Sequence, residues 1–338
     1  MYNNTTDTLF PENAPFSPLT AQILQVVHVI IAVFGIIGNG TIVVAFVLKL
    51  VPITPFMLLL LNLSVADIVV ELSIFPFVLL DVRHYASAFP KIASILCAVI
   101  DKTAPGYTAG SAVSVTIAYI SIIRAGSFDI GPQNLLKKKY ITFVICAGWM
   151  LGILTFSPHY IRFTFDPVTR ICIHKNPVSY QIVSATAATI FWFVPLFTMM
   201  VNFLLTVQRM WRKNNLPQSS MEKHRTQVTY LLFGLTVTYI ILITPMTLYF
   251  VLRALGNFES QNNQDTAFYR ISILIVSLNP VTDALLYAFC AKSFRQGFKN
   301  QRPSFKNRII IKANQQIGIH NKKLNHIQRP SMPETTGL

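Results

Sequence analysis

Residues 58–76 read LLLLNLSVADIVVELSIFP, an apolar run with one carboxylate, Asp67, at its middle and a second, Glu71, one helical turn further on. An isolated carboxylate at the centre of a bilayer costs several kcal/mol at the least, so it faces the interior of a protein rather than lipid. Residues four apart share a helix face, so both acids are expected to point the same way, into a bundle. The other way to bury an acid is to pair it with a base in a soluble core. The flanking chain supplies no soluble-domain pattern, so 58–76 reads as part of a membrane span.

Composition agrees. The chain has 338 residues, 52% of them hydrophobic and only 12% charged, with a mean hydropathy of +0.50. Soluble domains carry about 25% charged residues, so this balance marks an integral membrane protein. Residues 1–20 are polar and contain prolines, with no basic start and no short apolar core. No cleavable signal peptide of the usual form is expected, and the first span serves as its own insertion signal. The chain shows no 20–50-residue repeat, phosphate loop, zinc spacing or nucleophile elbow, so no enzyme is expected. A net charge of +15 raises the question of nucleic acid, but its placement fits a membrane surface instead.

Seven spans follow in order. Residues 23–48 hold no Lys, Arg, Asp or Glu, and are long enough to cross the roughly 20-residue hydrocarbon core. Their Asn39 is a mid-membrane polar group expected to bond to a neighbouring helix. Residues 53–80 form the second span, with Pro76 as its expected kink. The third, 103–123, is rich in small residues (Gly106, Gly110, Ser111, Ala112, Ser114), as suits a helix packed on several sides. The remaining four are 140–158 with Trp149, 178–208 with Pro195, 226–252 with Pro245, and 271–291 with Pro280 and Asp283.

Basic residues set the orientation. With the N-terminus outside, 20 of the 28 Lys and Arg fall on the inner side, against three inner acids, Asp129, Glu222 and Glu334. The N-terminus is therefore expected to be extracellular, where Asn3 and Asn4 both open glycosylation sequons. The same orientation puts Cys97 and Cys172 on the oxidising side, at the outer start of span three and between spans four and five, so a disulfide is expected. Cys146 and Cys290 sit in apolar runs and read as small buried hydrophobes.

These spans carry a set of motifs in a fixed order. Gly38-Asn39 lies in span one; Thr54-Pro55 opens span two, which continues Leu63-Ser64-Val65-Ala66-Asp67; Trp149, Pro195 and Pro245 mark spans four, five and six. Span seven and its sequel read NPVTDALLYAFCAKSFRQGF over 279–298. In these features the chain resembles a rhodopsin-like (class A) G-protein-coupled receptor from about 23 to 299. The resemblance implies an all-α membrane protein, a seven-transmembrane helix bundle with a short amphipathic eighth helix. It also implies an extracellular ligand, a heterotrimeric G protein and arrestin as partners, and a plasma-membrane location.

The chain departs from the family pattern at four places. Where an acid-Arg-Tyr triad closes span three, it has Ile123-Arg124-Ala125. The motif proline of span seven is Ala284, the tryptophan expected before Pro245 is Ile243, and Phe203 replaces a span-five tyrosine. The resemblance makes Arg124, Tyr287 and Glu222 the candidate switch residues facing the G protein, with Glu222 the local candidate lock. Without an acid at 123, either raised basal signalling or no coupling is expected.

Asp67, Asp283 and Asn39 are expected to converge at mid-bundle with Glu71 above them. Three acids in a low dielectric cannot all be ionised cheaply, so they should hold a proton or share a cation. The candidate occupant is a sodium ion at Asp67, or a proton, and no other cofactor is expected. Candidate ligand-pocket residues are Asp101, Lys102, Tyr107 and Tyr249. An amine receptor would need an acid at Ala104 or Gly106, and an opsin a lysine at Ser277; neither is present. Outer bases, among them Arg83, Arg162, Arg170, Lys175, Arg253 and Arg270, favour a peptide or an anionic small molecule.

The domains expected are an extracellular tail over 1–21, the receptor bundle over 22–291, an amphipathic helix on the inner leaflet over 292–302, and a disordered basic tail over 303–338. Two other classes fit parts of this pattern. A proton- or cation-coupled seven-span transporter would use Asp67, Glu71 and Asp283 as a relay, and a receptor-shaped binder would take ligand without engaging a G protein.

Overall fold

A computed structural model of the chain describes residues 16–51, 54–79, 88–97, 99, 104–126, 137–168, 171–174, 186, 192–213, 220–255 and 263–290. The sequons at Asn3 and Asn4, the rim residues Asp101 and Lys102, the 292–302 helix and the tail beyond it lie outside these residues.

The first helix, α1 (Pro18–Val47), starts on a cap: the Ser17 hydroxyl accepts from the Thr20 amide at 3.2 Å, and Pro18 occupies the first turn, where its missing N–H costs nothing. It ends with Lys49 in a left-handed conformation, φ 54°, while the Leu50 amide reaches back to the Ala45 carbonyl at 2.8 Å and the Lys49 amide to Phe46 at 3.0 Å. Those two bonds satisfy carbonyls that the helix end would otherwise orphan. Six longer elements follow: α2 (Pro55–Leu79), α3 (Ala104–Gly126), α4 (Lys138–Arg162), α5 (Val194–Lys213), α6 (Ser220–Ala254) and α7 (Asn263–Val276), the last continued by α8 (Leu278–Cys290).

Six stretches among the described residues are long and apolar enough to cross a membrane, one each in α1, α2, α3, α4 and α6 and one over Ala267–Ala288. The 20-residue α5 is not among them; its described part ends in Arg209, Arg212 and Lys213. The 271–291 span starts earlier than expected and is interrupted at Ser277. Proline has no N–H to give the carbonyl four residues back, and for Pro280 that carbonyl belongs to Val276, the last residue of α7. At the break, Ser277 Oγ bonds to His28 Nε2 of α1 at 2.9 Å.

Helix α3 is the axis of the bundle. It packs on α2, α4, α5 and α6, and 67% of its spanning stretch is buried, against 22% for α4. Its contact with α4 is a seam of small residues. Gly148 and Gly152 lie four apart on α4 and face Thr108, Ser111, Ala112 and Val115 of α3. A Cβ added at Gly152 would sit 2.6 Å from the Thr108 carbonyl oxygen, closer than a side chain can go. Membrane helices associate through such small residues because apolar side chains gain nothing by leaving lipid. Polar contacts pin the same region: Asn62 of α2 donates to Thr116 Oγ1 at 2.9 Å and accepts from Trp149 Nε1 at 2.9 Å, tying three helices together. The outward faces are apolar, as with Phe34 and Ile37 of α1 and Phe143 and Leu154 of α4.

Two expectations need correcting. Cys146 is exposed on the lipid-facing side of α4 rather than buried. An apolar run does not distinguish a core face from a lipid face, because both solvents are apolar. The chain is also not purely helical. After α4 it forms a hairpin of β1 (Phe163–Asp166) and β2 (Ile171–His174), antiparallel with Phe165 opposite Cys172.

Candidate functional site

The hairpin follows α4 directly. Cys172 of β2 is bonded to Cys97, just before α3, in a disulfide that joins residues 75 apart, and β1 packs on the one-turn helix Ala93–Leu96 beside it. Toward that end of the bundle is a cavity of about 60 Å³, whose walls include Tyr107, Phe156, Trp192, Ile243, Met246 and Ile273. None of the described residues that line it is charged. Aromatic rings enclose it: Tyr107 stacks on Phe156 at 5.3 Å between ring centres and meets Phe250 edge-on at 5.7 Å, and Trp192 lies 4.4 Å from Phe250. Quadrupoles favour such offset and edge contacts.

The hydroxyls of this upper chamber's described lining already have partners. The Tyr107 and Tyr269 hydroxyls bond to each other at 2.8 Å, and Ser111 Oγ donates to the Tyr107 carbonyl at 3.0 Å. Of the expected pocket residues, Tyr107 lines the chamber. Tyr249 backs it, 5.3 Å from Phe250 and 5.0 Å from Tyr269. The residues that the sequence did not single out are Phe156, Trp192, Phe250 and Tyr269. The usable signal was an aromatic near the same end of four successive spans.

Directly below lies a smaller cavity of about 30 Å³, lined by Asp67, Tyr239 and Asn279 among apolar neighbours. Val70, Gly110, Ile243 and Val276 wall both chambers. A built Cβ at Gly110 meets nothing within 4 Å, so this wall is thin because the residue is glycine. The Tyr239 hydroxyl is bonded to Ser114 Oγ.

The four mid-bundle residues come together, although not on one face. Asn39 Nδ2 bridges α1 to α8 through the Gly35 and Pro280 carbonyls, at 3.1 and 2.9 Å, as expected of a mid-membrane amide. Asp283 accepts from Asn279 Nδ2 at 3.2 Å. Asp67 faces the lower cavity, whereas Glu71 is pressed between α1 and α8: a Cβ at Gly35 would lie 3.2 Å from Glu71 Cγ and 3.3 Å from Pro280 Cβ. Asp67 Oδ2, Asp283 Oδ1, Asn39 Oδ1, Ser64 Oγ, Asn279 Oδ1 and both Glu71 oxygens are buried and make no hydrogen bond to a described residue. Buried oxygens of this kind are costly unless water, a proton or a cation meets them.

Comparison with known proteins decides the family. A sequence profile described as 7 transmembrane receptor (rhodopsin family) matches residues 38–287. The chain belongs to the rhodopsin family of seven-transmembrane receptors. It is similar to C-X-C chemokine receptor type 2 of Canis lupus familiaris, 21% identical over 90% of each chain. It is also similar to proteinase-activated receptor 2 of Homo sapiens, 25% identical over 83% of this chain and 72% of that one. A third relative, the allatostatin-A receptor of Bombyx mori, is 20% identical over 88% of this chain and 83% of that one.

As a rhodopsin-family receptor, the protein is a multi-pass membrane protein whose departures from the family pattern have a visible setting. Ala284, in the motif-proline position, faces Gly38: a Cβ there would lie 2.7 Å from Ala284 Cβ, so α1 and α8 touch through the two smallest side chains. Ile243, in the tryptophan position, walls both chambers. Phe203 stacks on Phe233 of α6 with 4.8 Å between ring centres. Tyr287 is buried, and its hydroxyl bonds to no described residue. Arg124 lies in the last turn of α3 and Glu222 in the first turn of α6; their side chains fall outside the described residues.

Proposed function

We propose that this receptor binds an extracellular peptide, seats one of its apolar side chains in the upper chamber, and activates a heterotrimeric G protein on the opposite side. The observation that carries the reading is the chamber itself, ringed by aromatics, with no charge among its described lining residues and with its hydroxyls already committed. An anionic group placed there would lose its water and gain no counter-charge from the described lining, so the peptide half of the sequence expectation is the better supported. Relatives named for a chemokine and for allatostatin-A lend the same support. The proposal places the N-terminus outside and counts α5 and the α7–α8 pair as spans five and seven.

A peptide screen in cells expressing the full chain, read by G-protein turnover and arrestin recruitment together, tests the proposal. For any peptide it yields, Trp192→Ala and Phe250→Ala should each raise the half-maximal concentration about tenfold or more at unchanged surface density, since buried aromatic anchors dominate such contacts. An active peptide indifferent to both substitutions would place the site elsewhere.

The lower chamber is proposed to hold a sodium ion or a proton. The oxygens that line it suit a monovalent hard cation, with one carboxylate, Asp67, and the unbonded amide oxygen of Asn279. Among the described residues, no three His, Cys, Asp or Glu are placed to share a metal ion. Asp67→Asn should abolish any sodium dependence of ligand affinity; a sodium response that survives the substitution counts against the ion.

A further inference from the structure

The inner end of α3 carries the largest departure from the family pattern, with Ile123 where a neighbouring acid would restrain Arg124. A different contact occupies that end. Arg209 of α5 donates through Nη1 to the main-chain carbonyl of Ala125, in the last turn of α3. The last four carbonyls of a helix have no partner within it, and they carry the negative end of its dipole. Ala125 is 4% exposed, so its carbonyl has little access to water. A guanidinium is well suited to such an acceptor, since it keeps its charge and supplies several donors in a fixed fork.

Arg209 does not act alone. One turn further in on α3 and two on α5, Asn202 Nδ2 meets Ser121 Oγ at 3.4 Å. Residues 202 and 209 are seven apart on α5, and 121 and 125 are four apart on α3, so the two contacts are rungs on facing helix surfaces. Between them Thr206 is buried. Phe203, on the same stretch of α5, stacks on Phe233 of α6, so whatever fixes α5 to α3 also bears on α6.

We infer that Arg209 is a positioning residue that clamps the inner ends of α3 and α5 together and restrains the unliganded receptor, in place of the acid that position 123 lacks. The acceptor is main chain, so this contact survives any side chain at 125 and depends on the donor at 209. Its effect on signalling rests on the proposed G-protein coupling; its effect on helix geometry does not.

The test uses the full chain in lipid nanodiscs with Cys146 and Cys290 replaced by serine. Spin labels are placed at Ile122→Cys and Gln208→Cys, both exposed positions. Arg209→Ala should broaden the α3–α5 distance distribution, and Arg209→Lys, which keeps a charged donor, should leave it narrow. In cells, at equal surface density, Arg209→Ala should raise basal nucleotide exchange about fivefold or more, the usual span of a coupling between states, with Arg209→Lys close to the parent. A distance unchanged in Arg209→Ala overturns the clamp whatever the basal signal does, and so does an Arg209→Lys that behaves like Arg209→Ala. A broadened distance with no exchange on any G protein keeps the clamp and removes the coupling proposal.

Discussion

Gly152→Val is expected to leave almost no receptor at the cell surface. Position 152 has no room for even a methyl group: its Cβ would fall 2.6 Å from the Thr108 carbonyl oxygen and 3.1 Å from both Thr108 Cα and Ser111 Oγ. Two of those three atoms are main chain, so no rotamer change relieves the clash and α4 has to move off α3. Overpacking of this kind costs about 3 kcal/mol or more. That is a large share of the 5–15 kcal/mol a folded domain has in total. The loss falls on the helix that packs against four others, so it spreads across the bundle. Gly148→Val should be milder, because its nearest neighbour is Ala112 Cα at 3.2 Å. Gly40→Ala, where a Cβ meets nothing within 4 Å, is the matched control. Flow cytometry of an N-terminally tagged receptor and thermal melting in detergent provide the measurements. Parental surface density and melting temperature in Gly152→Val would show that the α3–α4 seam is not as tight as these distances require.

Breaking the Cys97–Cys172 bond should abolish most of the ligand response while leaving much of the bundle folded. For a free chain, closing a loop of this length is worth roughly 4 kcal/mol. Here both ends are already restrained, since Cys97 leads into α3, Cys172 follows α4, and those helices pack along the glycine seam. The bond therefore removes little further freedom from the bundle. What it fixes is the hairpin, whose strands are only four residues each. Two-stranded hairpins are marginal on their own. Cys97→Ser, Cys172→Ser and the double variant should each shift the half-maximal ligand concentration by about tenfold or more. The double should be no worse than either single, because all three remove the same bond. Dithiothreitol on the parent receptor should reproduce the shift. A double variant far weaker than the singles would mean that the cysteines act separately.

Much of this architecture was legible because the bilayer forbids most alternatives. A run such as 58–76 has to be helical and has to hide Asp67, and Asn39 had to find a carbonyl or an amide across the bundle; it found Pro280. Legibility ended where two partners have to be known together. That Glu71 turns from the cavity toward α1 depends on Gly35, 36 residues earlier, leaving the space. The outward-facing Cys146 could not be told from a core residue by hydropathy. The upper chamber was half missed for a related reason: Phe156, Trp192, Phe250 and Tyr269 lie on three different spans plus the approach to α5, and aromatic residues are ordinary in any of them. The break at Ser277 could have been placed, since Pro280 fixes which carbonyl goes unpaired.

Four residues, Val70, Gly110, Ile243 and Val276, belong to the walls of both cavities at once. A shared partition offers a physical route by which the proposed guests would sense each other, and linkage requires that whatever factor an occupant near Asp67 imposed on the affinity of the aromatic compartment, that compartment's guest would impose in return. Enlarging Gly110, which thickens the partition without touching a carboxylate or an aromatic ring, is then a way to weaken that mutual dependence while leaving each compartment able to fill.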